Sequence, residues 1–357
     1  MSTIATHTSQ HSPMKSTWRS ANRDRWTASH WLIHALNAYP LDMDQTVPVH
    51  AKTDKIPHLS QASQQLWVFA HALVPMFMHQ TWLIFTSRQG LGRFAIFSLY
   101  FFAFNATVIR EVNILRRLGH LYGFFDGDQH ERDGVPDTGV TKAIASLIKT
   151  SGCRMAMAVL LSYDATISPA DFAGNWKSWP MLALQIGLYG IILDFWFYLY
   201  HRAVHEVPAL WKFHRTHHLT KHPNPLLTAY ADEEQEFIEM VVVPLMTYLT
   251  MRWVGLTLGF YQWWICHQFI VYTEVWGHSG IRVHLSPPSP FNWLLEVFRA
   301  ELLVEDHDLH HRKGWRKSYN YGKQTRLWDR VFGTCADRVE SVEASIDYQS
   351  VAHMPII

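Results

Sequence analysis

Polar and apolar positions along the chain pick out five apolar stretches: residues 66–85, 94–109, 181–200, 237–251 and 260–276. The first carries Trp67, Phe69, Phe77 and Trp82, and a short loop with Arg88 and Arg93 separates it from the second. A membrane span needs about 20 apolar residues, or fewer where a segment only dips into the bilayer. Several of these stretches are shorter and carry histidine or aspartate. The pattern therefore predicts bundled helices, some spanning and some half-spanning, with a hairpin over 66–110. Residues 141–163 predict a moderately amphipathic helix. Residues 119–140 are rich in Gly and Asp and predict a loop. Pro287, Pro288 and Pro290 break the chain further on. Residues 1–60 are polar and mixed and hold no apolar run of signal-peptide type. They are expected to be a lead-in, partly disordered. The fold class expected is all-α: a multi-pass membrane helical bundle. Its parts are the lead-in (1–60), a membrane hairpin with connecting loop (61–180), a histidine-bearing domain (181–335) and a C-terminal tail (336–357). The competing reading is a soluble helical protein with a large core.

Composition sharpens this picture in three places. The 357 residues carry a net charge of only +1, so there is no electrostatic footprint for a nucleic-acid partner. Cys153, Cys266 and Cys335 are odd in number and far apart, which gives no disulfide framework and suits a reducing compartment. The 23 histidines are the outlier.

Nine of them fall into four clusters: His201 and His205; His214, His217 and His218; His278 alone; then His307, His310 and His311. On a helix, positions i, i+3 and i+4 share a face, so each multiple cluster can aim its imidazoles at one point. Nine ligands exceed the four to six that one ion usually takes, so they suit two ions side by side. His278 is weaker alone, but it follows an apolar stretch where a lone ligand could complete the set. Asp194, Tyr198, His201 and His205 are spaced 4, 3, 4 and form one helical stripe. An aspartate in an apolar helix needs a partner, and a ligating imidazole normally hands its other N–H to a carboxylate or carbonyl. Asp194 is therefore expected to orient a ligand histidine, with Tyr198 beside it as the other candidate catalytic group. The alternative is a buried aspartate paired elsewhere. His30, His34, His71 and His79 are expected to be structural. His222, His267, His284 and Asp232 are left open as additional ligands.

All-imidazole sites suit Zn, Fe, Cu or Ni. A dinuclear site with spare positions beside apolar helices fits oxygen chemistry on a lipid-like substrate, for which iron is the natural metal. Arg202, Lys212, Arg215 and Lys221 surround the first two clusters, and Arg312, Lys313, Arg316, Lys317, Lys323 and Arg326 follow the last. Positive flanks face the cytosol, which puts the di-metal site on the cytosolic side. The basic stretch 312–326 is expected to dock an acidic electron donor.

The ordered motifs resemble the membrane fatty acid hydroxylase / sterol desaturase superfamily. They are Asp-Phe-Trp-Phe-Tyr-Leu-Tyr-His-Arg-Ala-Val-His (194–205), Leu-Trp-Lys-Phe-His-Arg-Thr-His-His (210–218), His-Ser-Gly (278–280), His-Asp-Leu-His-His (307–311) and a terminal stretch, 320–334. The last holds Asn-Tyr-Gly, Trp-Asp-Arg and Phe-Gly-Thr, in the style of sterol C4-methyl oxidases and C5-desaturases. The resemblance implies a helical membrane enzyme of the endoplasmic reticulum with a cytosolic di-iron site. It also implies use of O2 and electrons from NAD(P)H, passed through cytochrome b5 or a reductase, to hydroxylate or desaturate lipids. No His-Pro-Gly-Gly haem motif and no Gly-x-Gly-x-x-Gly fingerprint is present, so the electron donor is expected to be external. One departure stands out. Asp232, in Tyr230-Ala231-Asp232, occupies the place of a histidine in the C4-methyl oxidases, which implies a divergent branch with another substrate. A histidine-rich metal transporter and a non-catalytic lipid-binding relative remain the other classes.

Overall fold

A computed structural model describes residues 14–127 and 134–356. The helices are α1 (Ala28–Ala35), α2 (Gln61–Thr86), α3 (Arg93–Tyr122), α4 (Val140–Ser162), α5 (Pro169–Gly174), α6 (Trp179–Glu206), α7 (Glu233–Phe237), α8 (Val243–Trp253), α9 (Phe260–Gly277), α10 (Asn292–Val297), α11 (Val304–Lys313) and α12 (Leu327–Phe332). Two short strands, β1 (Ile56–Leu59) and β2 (Ile346–Ala352), pair in parallel and tie the region before α2 to the C-terminal segment.

Among the described residues, four helices are long and apolar enough to cross a membrane: α2, α3, α4, and α6 with the turn that precedes it, Trp176–Glu206. Their outer faces are apolar and uncovered, as at Phe77, Ile84, Phe85, Phe94, Phe102 and Leu160. Such a face suits lipid rather than water. The all-α membrane bundle is thus borne out, with two reassignments. Residues 237–251 are not one span. They divide into α7, a π-helical turn at Ile238–Val242, and the 11-residue α8. The helix at 260–276 exists as α9, but 17 of its 18 residues are buried by protein. A helix apolar on every side must be covered all round, and here α2, α3, α4 and α6 supply the cover. Conversely, α4 joins the candidate spans.

The N-terminal expectation is also corrected. Residues 1–13 lie outside the described residues, but 14–60 include α1 and β1 and fold against the bundle. Trp18, Ile33 and Ala38 pack with Val140, Ala143, Leu226 and Tyr230 in a second apolar cluster. The aromatic residues at Trp18 and Trp26 gave these "polar" residues something to bury. The Gly/Asp loop begins later than expected, because α3 runs on to Tyr122 and stops at Gly123, whose φ of 72° suits glycine. Residues 128–133 of that loop lie outside the described residues.

α11 carries the last histidine cluster and is unusual: polar in sequence, yet buried from Val304 to His311. Burying carboxylates is costly unless each is partnered. Asp306 accepts from the Leu303 N–H at the helix start and pairs with Arg338. Glu305 accepts from the backbone N–H groups of Val339, Glu340 and Ser341. Asp308 pairs with Arg312. The ladder of partners lets a hydrophilic helix sit in the interior against α9.

Candidate metal centre

The four histidine clusters converge into two adjacent groups. His201, His205, His214, His218 and His310 form one; His217, His278, His307 and His311 form the other. Within each group the candidate donor atoms lie within 4.8 Å of one another, and all nine residues are buried. The groups abut: the rings of His218 and His311 are 4.7 Å apart. His201 and His205 come from the end of α6, and His307, His310 and His311 from α11. Of the middle trio, His214 follows a 3-10 turn at Trp211–Phe213 and His217 and His218 lie in the next, His217–Leu219; His278 caps the end of α9. His222, His267, His284 and Asp232 join neither group. His222 pairs with Asp126, His284 stacks on His58, and His267 stacks on Trp263. Asp232 binds Lys142 and the Thr216 hydroxyl.

Six of the nine rings have Nδ1 against a backbone carbonyl. The pairs are His201 with Tyr321 (2.7 Å), His205 with Trp315 (2.9 Å), His217 with Tyr230 (3.2 Å), His278 with Glu274 (2.7 Å), His310 with Tyr319 (2.6 Å) and His311 with Thr220 (3.0 Å). A carbonyl only accepts, so each Nδ1 carries the proton and each Nε2 carries a bare lone pair. The His217 and His278 Nε2 atoms then face each other at 3.4 Å with no hydrogen between them. Nε2 of His205 and of His311 is buried without any partner. Converging lone pairs repel unless a cation stands between them. The residues present therefore fit a metal, and the fixed tautomers are those that ligating histidines normally have. Burial holds all seven histidines outside α6 below the ordinary imidazole range, with His278 down to about 3. They stay neutral at pH 7 and keep their lone pairs available.

Asp194 takes a different place from the one expected. It touches no imidazole. Its Oδ1 accepts from the Lys323 and Gln324 N–H groups, and its Oδ2 from the Thr325 N–H and hydroxyl. It thus pins the loop that presents the Tyr321 carbonyl to His201. Asp194 and His201 share the α6 stripe, but the backbone fold-back of 319–325 reaches the carboxylate first. Tyr198 likewise bonds Thr334 and Arg202 rather than a histidine. The basic stretch after α11 is also less available than its sequence suggests. Lys323 pairs with Glu239 and Glu274, Arg326 with Asp306, and Arg312 with Asp308. Lys313, Arg316 and Lys317 remain exposed.

An apolar cavity leads to the histidines. Leu32 of α1, Leu36 just after it and Ile148 of α4 are its exposed wall residues and mark the mouth. His201, His217, His278 and His307 line its inner end. It leaves about 1250 Å³ of space between atoms, its open mouth included. Sequence reasoning missed the role of α1 as a wall, because the contact is made across more than 100 residues.

Fold and site together define a helical membrane protein with a paired, buried histidine centre at the end of an apolar cavity. The chain belongs to the fatty acid hydroxylase family, within the sterol desaturase / fatty acid hydroxylase superfamily, and is an oxygenase of that type. The family profile matches residues 186–334. The fatty acid hydroxylase vlmA of Lecanicillium sp is 46% identical over 308 residues, covering 84% of this chain and 84% of that protein. Alkylglycerol monooxygenase of Xenopus tropicalis is 30% identical over 154 residues, 42% of this chain and 30% of that protein. Methylsterol monooxygenase erg25B of Aspergillus fumigatus is 28% identical over 160 residues, 44% of this chain and 49% of that protein. No solved structure matches.

Proposed function

We propose that the two histidine groups hold two iron ions, five ligands to one and four to the other, and that residues 181–335 are the catalytic unit. The protein uses O2 to hydroxylate, oxidise or desaturate a lipid-like substrate lying in the apolar cavity. The observation that carries this reading is the pair of bare Nε2 clusters at the cavity's inner end. Iron bound there would supply reductive activation of O2. In a hydroxylation one oxygen atom enters a C–H bond and the other leaves as water, which consumes two electrons and two protons. The chain's own groups fix the ligand tautomers, exclude water from the inner cavity and position the substrate's chain.

Those electrons come from NAD(P)H through cytochrome b5 or a reductase. The exposed cations Lys212, Arg215, Lys313, Arg316 and Lys317 flank the histidine segments and suit an acidic donor. The same flanks support a cytosolic face, in the endoplasmic reticulum membrane.

Elemental analysis of protein purified without chelator is expected to give two metal ions per chain. Zinc in place of iron after overexpression counts toward the two, since imidazole binds both. His217→Ala and His310→Ala each remove one ligand, one from each group, and should leave a folded protein with less than about a tenth of wild-type turnover. One ion or none in a folded wild type, or retained turnover in both variants, overturns the reading.

A further inference from the structure

The cavity holds a second polar group that the histidines do not use. Arg154 lies in α4, a helix otherwise apolar enough to cross a membrane. Its side chain is only 3% exposed and lines the cavity. Nη2 donates to both carboxylate oxygens of Glu274, at 3.0 and 2.9 Å. Nε and Nη1 are buried and have no partner. A guanidinium carries five N–H donors, so the three on Nε and Nη1 are left without an acceptor. Unmade buried donors are strongly unfavourable, and a charged residue inside a membrane helix marks a functional site by default.

The charge around Arg154 is already balanced. Lys323 Nζ lies 3.3 Å from Glu274 and 3.3 Å from Glu239. Two cations thus face two carboxylates. A ligand carboxylate would bring an uncompensated negative charge into a low-dielectric wall, whereas a neutral carbonyl would bring an acceptor and no charge. The position is also defined. The backbone carbonyl of Glu274 accepts from His278 Nδ1, so the anchor sits one helical turn of α9 from a candidate ligand. From there to the mouth, at Leu32, Leu36 and Ile148, the wall is mostly apolar, with Val108, Ile144 and Leu147 among its residues.

We infer that Arg154 binds the carbonyl oxygen of a neutral acyl derivative (an ester, thioester or amide) through Nε–H and Nη1–H. The carbonyl end is innermost, and the hydrocarbon tail runs out past α1. The carbon presented to the histidines then lies within a few bonds of the carbonyl, not at the far end of the chain. This inference rests on the reading of the histidines as an oxygenating metal centre.

Three probes test it on the full-length protein in detergent: methyl hexadecanoate, hexadecanoate at pH 8, and hexadecane. Binding is measured by tryptophan quenching in the metal-free protein, apart from any turnover. The ester is expected to bind about tenfold more tightly than either other probe, the scale of one hydrogen-bonded acceptor in a buried site. Arg154→Lys keeps a cation opposite Glu274 but lacks the donor fork. It should lose the preference for ester over hexadecane while hexadecane affinity and iron content stay as in wild type. In the iron-loaded enzyme supplied with reductant, oxygen should enter near the carbonyl in wild type and scatter along the chain in Arg154→Lys. Equal binding of ester and hexadecane, tighter binding of hexadecanoate, or a preference preserved in Arg154→Lys overturns the assignment. The three-probe ranking in wild type decides it even where the variant does not fold. Wild-type protein that prefers the ester but holds no metal would sink the oxygenase reading and leave the anchor standing.

Discussion

At the scale of single residues, spacing found the nine histidines and missed what orients them. Six of them have Nδ1 against the carbonyls of Thr220, Tyr230, Glu274, Trp315, Tyr319 and Tyr321, and a backbone carbonyl has no signature in sequence. Asp194 shows the consequence. An acid in an apolar helix did announce a partner, but not which one. Because its carboxylate collects three backbone N–H groups and a hydroxyl, Asp194→Asn sets an amide N–H against one of those donors. We expect a loss of about 1–3 kcal/mol in the metal-free protein, the usual cost of a buried donor left unmade. Metal retention should weaken as well, since the loop that carries Tyr321 loosens. Thermal melting of metal-free wild type and variant checks this; equal midpoints would return Asp194 to a role at the metal alone. Arg154 was legible in principle, as a lone charge in an apolar helix, but its free donors appear only once α4 packs on α9.

At the scale of elements, apolar length predicted helices well and their surroundings poorly. α2, α3 and α6 contain their expected segments. α9 has the same apolar content but is sheathed in protein, and nothing in its own residues distinguishes lipid from neighbouring helices as the cover. α11 is the opposite case, a polar helix that is buried because its partners arrive from 338–341. Glu305→Ala removes the acceptor of the Val339, Glu340 and Ser341 N–H groups, and Glu340 and Ser341 are buried. The expected cost is on the order of 3 kcal/mol or more, together with loss of metal from the group containing His307 and His311. Calorimetry and metal analysis of the variant check both. A melting midpoint within a degree of wild type would show that α11 is held by its histidines and apolar contacts instead.

At the scale of the whole molecule, burial of the histidines couples metal, proton and fold. Folded-state pKa values lie below the unfolded value near 6.5, with His278 at about 3. The unfolded chain therefore binds protons first as pH falls. The stability these groups contribute is fully present above about 6.5 and is lost as pH drops from there toward 3. Metal-free protein should accordingly melt at progressively lower temperature between pH 7.5 and 5.5. The metal-loaded form should hold its midpoint further into acid, because protons must displace the ion. Melting curves at pH 7.5, 6.5 and 5.5, with and without chelator, measure this; a metal-free midpoint that rises on acidification contradicts it.

The sequence by itself determined the nine candidate histidines, the helical class and the family motifs, because helical period and histidine spacing are local and survive in one dimension. It also determined that Asp194 needs a partner, since a charge in an apolar helix is costly wherever that helix lies. Tertiary structure alone decided how the nine histidines divide into five and four, because the division cuts across the clusters: His217 parts from His214 and His218, and His310 from His307 and His311. It alone decided that α1 walls the cavity and that α9 is core, since both follow from contacts between residues far apart in the chain.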